Sequence, residues 1–314
     1  MRRLTPVVAA VIALAGLTGT TPATADGGSG AGGSREGQAP AAGLLAARAP
    51  AVSLMARLTG DQGVPEKSGT ATGDRDGRAI ALVKVKGDRV TFALSWNGVD
   101  VPARAHLRRG GAGAAGAAVA ELFTTPMPAS VSSAAGQTSV STPALAELLR
   151  RDPDGFYVDL RTEAFPGGAV RGQLRPLGKP VNPLSVIRGG RLRALADGGQ
   201  EVPAGAPDRA GDPDGHSTTF LHPRTDRVDY SLVWVNTGPP LSGHVHEGAL
   251  GENGALRLPL FVSPVPKNIF GISGSVSAPD ASFLARLKEG PTGFYANLPT
   301  REFPEGAVRG QLFR

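Results

Sequence analysis

The sequence has no cysteine among its 314 residues and few aromatic side chains. The absence of cysteine excludes disulfide bonds, thiol nucleophiles and thiolate metal ligands. It also excludes a lipid anchor of the kind that is attached to a cysteine side chain. Phe, Trp and Tyr together make up only 5% of the chain. The folded core must therefore consist mainly of aliphatic side chains, and its stability must come from the apolar area that they bury.

The sequence also lacks a concentrated positive region, although its formal net charge is +6. Nucleic-acid-binding proteins carry clustered basic residues on one face or belong to a known binding module. Here the densest basic group consists of Arg188, Arg191 and Arg193, and no aromatic side chains are interleaved with it. We interpret these residues as part of a solvated surface, and we predict no nucleic-acid partner.

The longest apolar run in the sequence lies near the N-terminus, at residues 7–17. Two arginines precede it, and the small residues Ala-Thr-Ala follow at 23–25. This pattern predicts a secretory signal peptide over residues 1–25. The run is shorter than the ~20 apolar residues of a membrane-spanning helix. We therefore predict a secreted, extracellular protein with no transmembrane anchor.

The most informative feature of the sequence is an internal repeat. The segment GFYVDLRTEAFPGGAVRGQL at residues 155–174 returns as GFYANLPTREFPEGAVRGQL at residues 293–312, with 14 of 20 positions identical. The same spacing of 138 residues separates the two tryptophans, Trp96 and Trp234. Solenoid repeats are only roughly 20 to 50 residues long, so this period indicates two copies of one domain. The predicted organisation is a flexible Gly- and Ala-rich leader at 26–50, copy 1 at 51–176, a linker at 177–187 and copy 2 at 188–314.

Short alternating segments predict an all-β fold for both copies. Apolar residues alternate over residues 90–96 and 228–234, which is typical of strands with one buried face. One helix per copy interrupts the strands. The first has Thr142 as its N-cap and Pro143 at its first position, and the second begins near Asp280. We predict two tandem antiparallel β-sandwich or β-barrel domains, each with one short helix before its last two strands.

The last strand of each copy carries an arginine and a glutamine on one face. These residues are Arg171 and Gln173 in copy 1 and Arg309 and Gln311 in copy 2. Such a pair can bind a carboxylate or the backbone of a partner, and it can also hold neighbouring loops through several hydrogen bonds. We favour the second, structural role, because both copies keep the pair while other polar positions differ.

Several motifs of copy 2 resemble the CHRD domain family, which is named after the repeats of chordin. They are Glu-Val-Pro at 201–203, His-Val-His at 244–246, Glu-Asn-Gly at 252–254 and the closing segment at 293–312. Chordin is a secreted antagonist that binds growth factors, and the family also occurs in many exported bacterial proteins. The resemblance implies a secreted, non-enzymatic binding or structural module. Its expected partner is an extracellular protein or a cell-envelope component.

Copy 1 departs from the first three of these motifs, so a ligand or metal site is expected in copy 2. On a strand, His244 and His246 point to the same face, where both imidazoles can reach one Cu or Zn ion. A usable site needs at least a third ligand. The candidates for this ligand are His222, Glu252 and Glu247.

Two further interpretations of the His-Val-His motif remain open. The imidazoles can instead form hydrogen bonds with the loop at residues 252–254 and order it. A superoxide-dismutase-like enzyme also places this motif on a strand of an antiparallel barrel, but its copper site needs more histidines, and the chain has only five. We therefore predict no catalytic residues and no cofactor, with a Cu or Zn protein or a superoxide-dismutase-like enzyme as the alternative function.

Overall fold

The computed structural model describes residues 50–65, 69–205 and 209–314. The predicted signal peptide and residues 26–49 of the predicted leader lie outside the described residues. The strands of copy 1 are β1 (Val52–Thr59), β2 (Arg78–Lys86), β3 (Arg89–Asn97), β4 (Arg104–Arg109), β5 (Ala118–Phe123), β6 (Val131–Ser139), β7 (Phe156–Arg161), β8 (Val170–Gln173) and β9 (Arg175–Pro176). The strands of copy 2 are β10 (Leu192–Asp197), β11 (His216–Pro223), β12 (Arg227–Val235), β13 (Gly243–Glu247), β14 (Ala255–Phe261), β15 (Ile269–Ser277), β16 (Phe294–Leu298) and β17 (Val308–Phe313).

Each copy is a curved antiparallel sheet with the same strand order. The order is β5-β4-β7-β8-β1-β2-β3-β6 in copy 1, and the short strand β9 also pairs with β1. In copy 2 it is β14-β13-β16-β17-β10-β11-β12-β15. Every strand of one order occupies the place of its equivalent in the other. The predicted all-β fold with two tandem domains is confirmed.

One helix precedes the last two long strands of each copy, as predicted. Helix α1 (Pro143–Arg151) follows Thr142, whose side chain accepts a hydrogen bond from the backbone N–H of Leu145 (3.2 Å). Helix α2 (Ala281–Glu289) follows Asp280, which accepts one from the N–H of Phe283 (2.7 Å). These side chains satisfy N–H groups that have no partner within the helix. None of the helices in the described ranges is long and apolar enough to cross a membrane.

Backbone pairing between β6 and β15 joins the two copies into one continuous sheet. The strands are antiparallel, and the pairing runs from Ile269 opposite Gly136 to Gly274 opposite Val131. Val131 and Ile269 are equivalent positions of the two copies, and so are Gly136 and Gly274. A local two-fold axis therefore relates the two strands of this pairing, as in the isologous interface of a symmetric dimer.

We call the pairing of β6 with β15 the seam. Two side chains beside the seam follow the same two-fold relation. The Nδ2 of Asn268 donates a hydrogen bond to the carbonyl of Glu121 on β5 (3.2 Å). Its equivalent in copy 1, Ser130, donates from Oγ to the carbonyl of Leu260 on β14 (2.6 Å) and lies 2.9 Å from the hydroxyl of Tyr230. Each copy thus satisfies a backbone carbonyl on the edge strand of the other, which protects that edge from other pairings.

The linker crosses the outer face of the joined sheet. On the copy 1 side, Val186 packs against the small side chains of Ala93 and Ala135. Their equivalents in copy 2 are serines that bind the linker backbone. The Oγ of Ser273 donates to the carbonyl of Val186 (2.5 Å), and the Oγ of Ser231 donates to the carbonyl two residues further along. Val186 therefore makes apolar contacts with copy 1 and accepts a hydrogen bond from copy 2.

We expect Ser273→Ala to lower the free energy of unfolding by about 1 kcal/mol, because it leaves a linker carbonyl without its partner. The measurement is urea denaturation followed by circular dichroism.

Ser217→Ala is the matched control for this substitution. Ser217 is also a buried strand serine of copy 2, but its Oγ has no hydrogen-bond partner among the described residues. Removing this hydroxyl should leave stability unchanged or raise it, since no hydrogen bond is lost. Equal losses in the two variants would show that the hydrogen bond to the linker contributes nothing.

Candidate functional site

The outer face of β13, β16 and β17 carries two rows of polar side chains in copy 2. Residues that alternate with them, such as Val245 and Ala296, are buried in the core, so the polar residues face outward. Cross-strand pairing forms the first row from His244, Asn297 and Arg309. The second row, paired in the same way, consists of His246, Tyr295 and Gln311.

Copy 1 has the same two rows on β4, β7 and β8. The first consists of His106, Asp159 and Arg171, and the second of Arg108, Tyr157 and Gln173. Two of the six positions differ between the copies, because Asp159 replaces Asn297 and Arg108 replaces His246. The His, Tyr, Arg and Gln that the copies share form a common frame, and the two exchanged positions set the chemistry of each face.

The arginine of the first row holds a loop over this face. Arg309 is only 1% exposed, and its Nη2 donates to the carbonyls of Ala249 (3.1 Å) and Glu252 (2.7 Å). Its guanidinium carbon lies 3.6 Å from the centre of the Tyr295 ring, a cation–π contact. Arg171 makes the equivalent contacts in copy 1, with loop carbonyls at 2.8 and 2.9 Å. The loop at residues 248–254 is thus bound to the sheet from below.

The glutamine of the second row binds the start of this loop and the turn that precedes the neighbouring strand. The Nε2 of Gln311 donates to the carbonyls of Gly248 (2.8 Å) and Thr292 (2.7 Å). Gln173 donates to the equivalent carbonyls of copy 1, both at 2.6 Å. The loop itself turns at Gly251, whose φ of 79° lies in the left-handed region that favours glycine. Local sequence and distant side chains therefore specify the same loop conformation.

The imidazole of His246 belongs to this loop-binding network. Its Nδ1 lies 3.1 Å from the carbonyl of Gly254, and its ring stacks on Tyr295 with 5.0 Å between ring centres. A carbonyl only accepts, so the proton lies on Nδ1 and the Nε2 lone pair stays available. Burial and the charge of Arg309 lower the pKa of His246, which keeps the ring neutral. In copy 1, Arg108 donates to the equivalent carbonyl of Gly116 (2.9 Å).

His244 contributes a second neutral imidazole to the same face. Its ring centre lies 5.7 Å from that of His246, in an edge-to-face arrangement. Burial and then the neighbouring His246 lower the pKa of His244. The hydrogen-bond interpretation of the motif therefore applies to His246, whose loop partner is Gly254, and the structure gives no such partner for His244 among the described residues.

Glu201 adds a carboxyl group above the first row. The Nδ2 of Asn297 donates to both carboxyl oxygens (2.8 and 3.0 Å). The next residue, Val202, accepts a hydrogen bond from Asn253 (2.8 Å), which in turn accepts one from Arg309 (3.1 Å). Burial raises the pKa of Glu201 to about 7, although the charge of Arg309 opposes this shift. This carboxyl group therefore exchanges its proton near neutral pH.

Copy 1 supplies its carboxyl group from a different position. Gly63 replaces Glu201, and the carboxyl group is that of Asp159 on β7. Its Oδ1 lies 3.2 Å from Nδ1 of His106, and its Oδ2 accepts a hydrogen bond from Nε of Arg161 (3.0 Å). Burial raises the pKa of Asp159, but the hydrogen bond with His106 and the charge of Arg161 outweigh it and hold this pKa below its ordinary value. One carboxyl group thus belongs to the first row of copy 1, where it is ionised, and one contacts the first row of copy 2, where it titrates near neutrality.

The structure does not place a third ligand beside the histidine pair. Within the part of the chain that the structure describes, no three His, Cys, Asp or Glu side chains form a group that could hold a metal ion. Glu247 forms ion pairs with Arg257 (2.7 Å) and Arg286 (3.0 Å) instead. Glu252 contributes its backbone carbonyl to the loop, and three strands separate His222 on β11 from the pair on β13.

Sequence reasoning identified the histidines, arginines and glutamines of this face but not the roles of Glu201, Asn297 and Tyr295. A position-by-position comparison of the copies contains the missing signal. Glu201 is Gly63 in copy 1, while Asn297 is Asp159. Copy 2 thus has its carboxyl group at one of these positions and copy 1 has it at the other. Such an exchange indicates that the two positions contact each other.

These features define a class of protein, namely tandem antiparallel β-sandwich domains. Each domain carries polar rows on its outer face beneath a loop, and one pairing of strands joins the two domains. The model of the CHRD domain matches residues 54–174 and, a second time, residues 192–312. The chain therefore belongs to the CHRD domain family, as its motifs predicted. Comparison with curated proteins and with solved structures found no significant match.

We expect Glu201→Gln to flatten the pH dependence of stability. Because the folded state raises the pKa of Glu201 from 4.5 to about 7, the stability contributed by the protonated group is complete below about pH 4.5 and is lost as the pH rises through 7. The difference in unfolding free energy between the wild type and the variant should fall by up to about 3 kcal/mol across this interval. Urea denaturation at a series of pH values measures it.

Glu305→Gln provides the control, because Glu305 is an exposed carboxylate on the neighbouring turn before β17. It reports the effect of removing one negative charge near the site without changing the buried carboxyl group. If both variants follow the pH profile of the wild type, Glu201 does not titrate in the way that its burial requires.

Proposed function

We propose that this protein is an exported, non-enzymatic binding or structural module that contacts an extracellular protein or a component of the cell envelope. Its membership in the CHRD family supports the binding role. The apolar run at residues 7–17 with its flanking residues supports export. In this role the molecule acts by surface complementarity rather than by a reaction at one centre.

The continuous sheet is the observation that supports this proposal most directly. Pairing of β6 with β15 and the linker that crosses it hold the two copies in one arrangement. Their outer faces are therefore presented together. A partner that contacts both faces gains avidity, because the second contact forms within a complex that already exists.

The two faces offer different chemistry on one frame. The copy 1 face contains the ionised carboxylate of Asp159 with His106 and Arg161. The copy 2 face contains two neutral imidazoles and the protonatable carboxyl group of Glu201. Asp159 and His106 are buried, so these groups act on a partner through the loops that cover them.

We expect the mature chain, residues 26–314, to bind saturably to one fraction of the producing cells or their surroundings. Isolated cell walls, membranes and secreted proteins are to be tested separately by co-sedimentation or surface plasmon resonance. Saturation is expected because a complementary surface provides a limited number of sites. The absence of saturable binding to all three fractions would contradict the proposed function.

A Cu or Zn protein that uses His244 and His246 is the alternative. One observation favours it, because the Nδ1 of His246 is bound to a backbone carbonyl (3.1 Å). Metal-binding histidines commonly use one ring nitrogen in this way while the other binds the metal. The lowered pKa values keep both rings in the neutral form that binds metals.

Elemental analysis separates the two proposals. The mature chain is expressed without a tag in the presence of Cu, Zn and Mn and compared with a His244→Ala/His246→Ala variant. A binding module should contain no stoichiometric metal in either form, since the described residues provide two ligands rather than the usual three or four. Near one metal per chain in the wild type, absent from the variant, would favour the metalloprotein.

A further inference from the structure

The basic group Arg188, Arg191 and Arg193, which the sequence presents as a solvated surface, is joined in the structure by cations from other elements. Arg193 donates to the main-chain oxygen of Arg314, the last residue of the sequence (3.4 Å), and Arg314 donates to the carbonyl of Lys288 (2.6 Å). Lys288 donates in turn to the carbonyl of Arg224 (3.1 Å). This chain of hydrogen bonds joins residues of β10, α2, the β11–β12 turn and the position that follows β17. We call this set, with Arg191, the basic rim of copy 2.

The partners of Lys288 and Arg314 are backbone carbonyls, and the partner of Arg193 is the main-chain oxygen of the last residue of the sequence. Among the described residues, no carboxylate side chain pairs with Arg193, Lys288 or Arg314, while Arg224 is paired with Asp229 (2.6 Å). The carbonyl contacts fix Lys288 and Arg314 without neutralising them. The charges of Arg224 and Arg191 also act on His222. They lower its pKa, although burial is the larger cause of this shift. The rim therefore retains charge that can pair with an anionic partner.

Exposed apolar side chains adjoin the basic rim on the same sheet face. The guanidinium of Arg193 lies over the ring of Phe313, 4.9 Å from its centre. Phe220 is the cross-strand neighbour of Arg193 and is half-buried. Leu195, two residues along β10, is 55% exposed. We call Leu195, Phe220 and Phe313 the apolar strip.

The equivalent face of copy 1 keeps only two of the five cations. Arg150 and Lys86 stand at the positions of Lys288 and Arg224, but Ser53, Met55 and Pro176 stand at the positions of Arg191, Arg193 and Arg314. Arg57 stands at the position of Leu195. The common fold does not require these three arginines or Leu195, since copy 1 forms the same strands without them.

We propose that the basic rim and the apolar strip of copy 2 bind an acidic polypeptide segment in which carboxylates alternate with large apolar side chains. This inference rests on the proposed binding function and names the chemistry of the partner. The carboxylates pair with the guanidinium groups of the rim, which suit planar, bidentate recognition. The apolar side chains cover Leu195 and the aromatic rings, as in the core of an interface.

The apolar strip decides between this partner and an anionic polymer such as a polyphosphate. A polyphosphate can pair with the cations, but it has no group that gains free energy by covering Leu195 or Phe220. Its binding would depend on charge alone and would fall steeply with salt. A peptide that uses both surfaces keeps part of its affinity at high salt.

The probe for the test is a short fluorescein-labelled peptide of alternating Glu and Leu, and its binding to the full mature chain is measured by fluorescence anisotropy. We expect Arg193→Glu/Arg314→Glu to weaken binding by at least about tenfold, because two favourable charge contacts become unfavourable. Lys84→Glu/Lys86→Glu is the matched control. Its two sites are the copy 1 equivalents of His222 and Arg224, and it should leave the affinity within about twofold.

The apolar part of the surface is tested by Leu195→Ser and by a peptide with Ser in place of Leu. Each change should weaken binding several-fold, since each removes apolar area from the contact. Arg193→Gln/Arg314→Gln removes the charges without reversing them, and circular dichroism reports whether each variant keeps the fold. Unchanged affinity in folded rim variants, or equal binding of the Leu and Ser peptides with full competition by inorganic polyphosphate, would overturn the inference. If the peptide does not bind while envelope binding persists, the proposed function stands and this partner chemistry is wrong.

Discussion

The antiparallel pairing of β6 with β15 is the interaction on which the rest of the structure depends. Each strand would otherwise be the exposed edge of its own sheet, with unpaired backbone groups open to other chains. The local two-fold relation lets one pairing satisfy both edges, and reciprocal contacts from Asn268 and Ser130 cover carbonyls on the neighbouring edge strands. The linker then crosses the joined sheet and makes the two copies one body. The two tandem domains are thereby fixed in a single arrangement.

Within each copy, a buried arginine links the sheet to the loop above it. Arg309 and Arg171 use the same carbonyl positions of their loops and the same tyrosine ring below. The guanidinium of Arg309 donates three hydrogen bonds to the loop, while its Nε has no partner among the described residues. A carboxyl group lies near each buried guanidinium, that of Glu201 in copy 2 and that of Asp159 in copy 1. The frame is therefore conserved between the copies while the position and protonation of its carboxyl group change, which gives the faces different chemistry.

Much of the fold could be predicted because its signals are local. The alternation over residues 90–96 predicts a strand, and Thr142 followed by Pro143 predicts the start of a helix. The His-Val-His motif correctly placed two imidazoles on one face of β13. The third ligand could not be predicted from spacing, because the carboxylate of Glu247 pairs with Arg286 and only the backbone carbonyl of Glu252 binds Arg309. The partner of each of these glutamates is decided only when residues from distant parts of the chain come into contact.

The sequence by itself determined the duplication, the all-β class, the helix starts and the polar residues that each strand turns outward. All of these follow from local periodicity or from direct comparison of the two copies. Only the tertiary structure decided that the copies share one sheet, that Glu201 lies on Asn297, and that cations from four elements form the basic rim. These features depend on which strands become neighbours and on how far each side chain is removed from water. Both are properties of residues far apart in sequence, since pairing and burial are set by the whole chain rather than by any one segment.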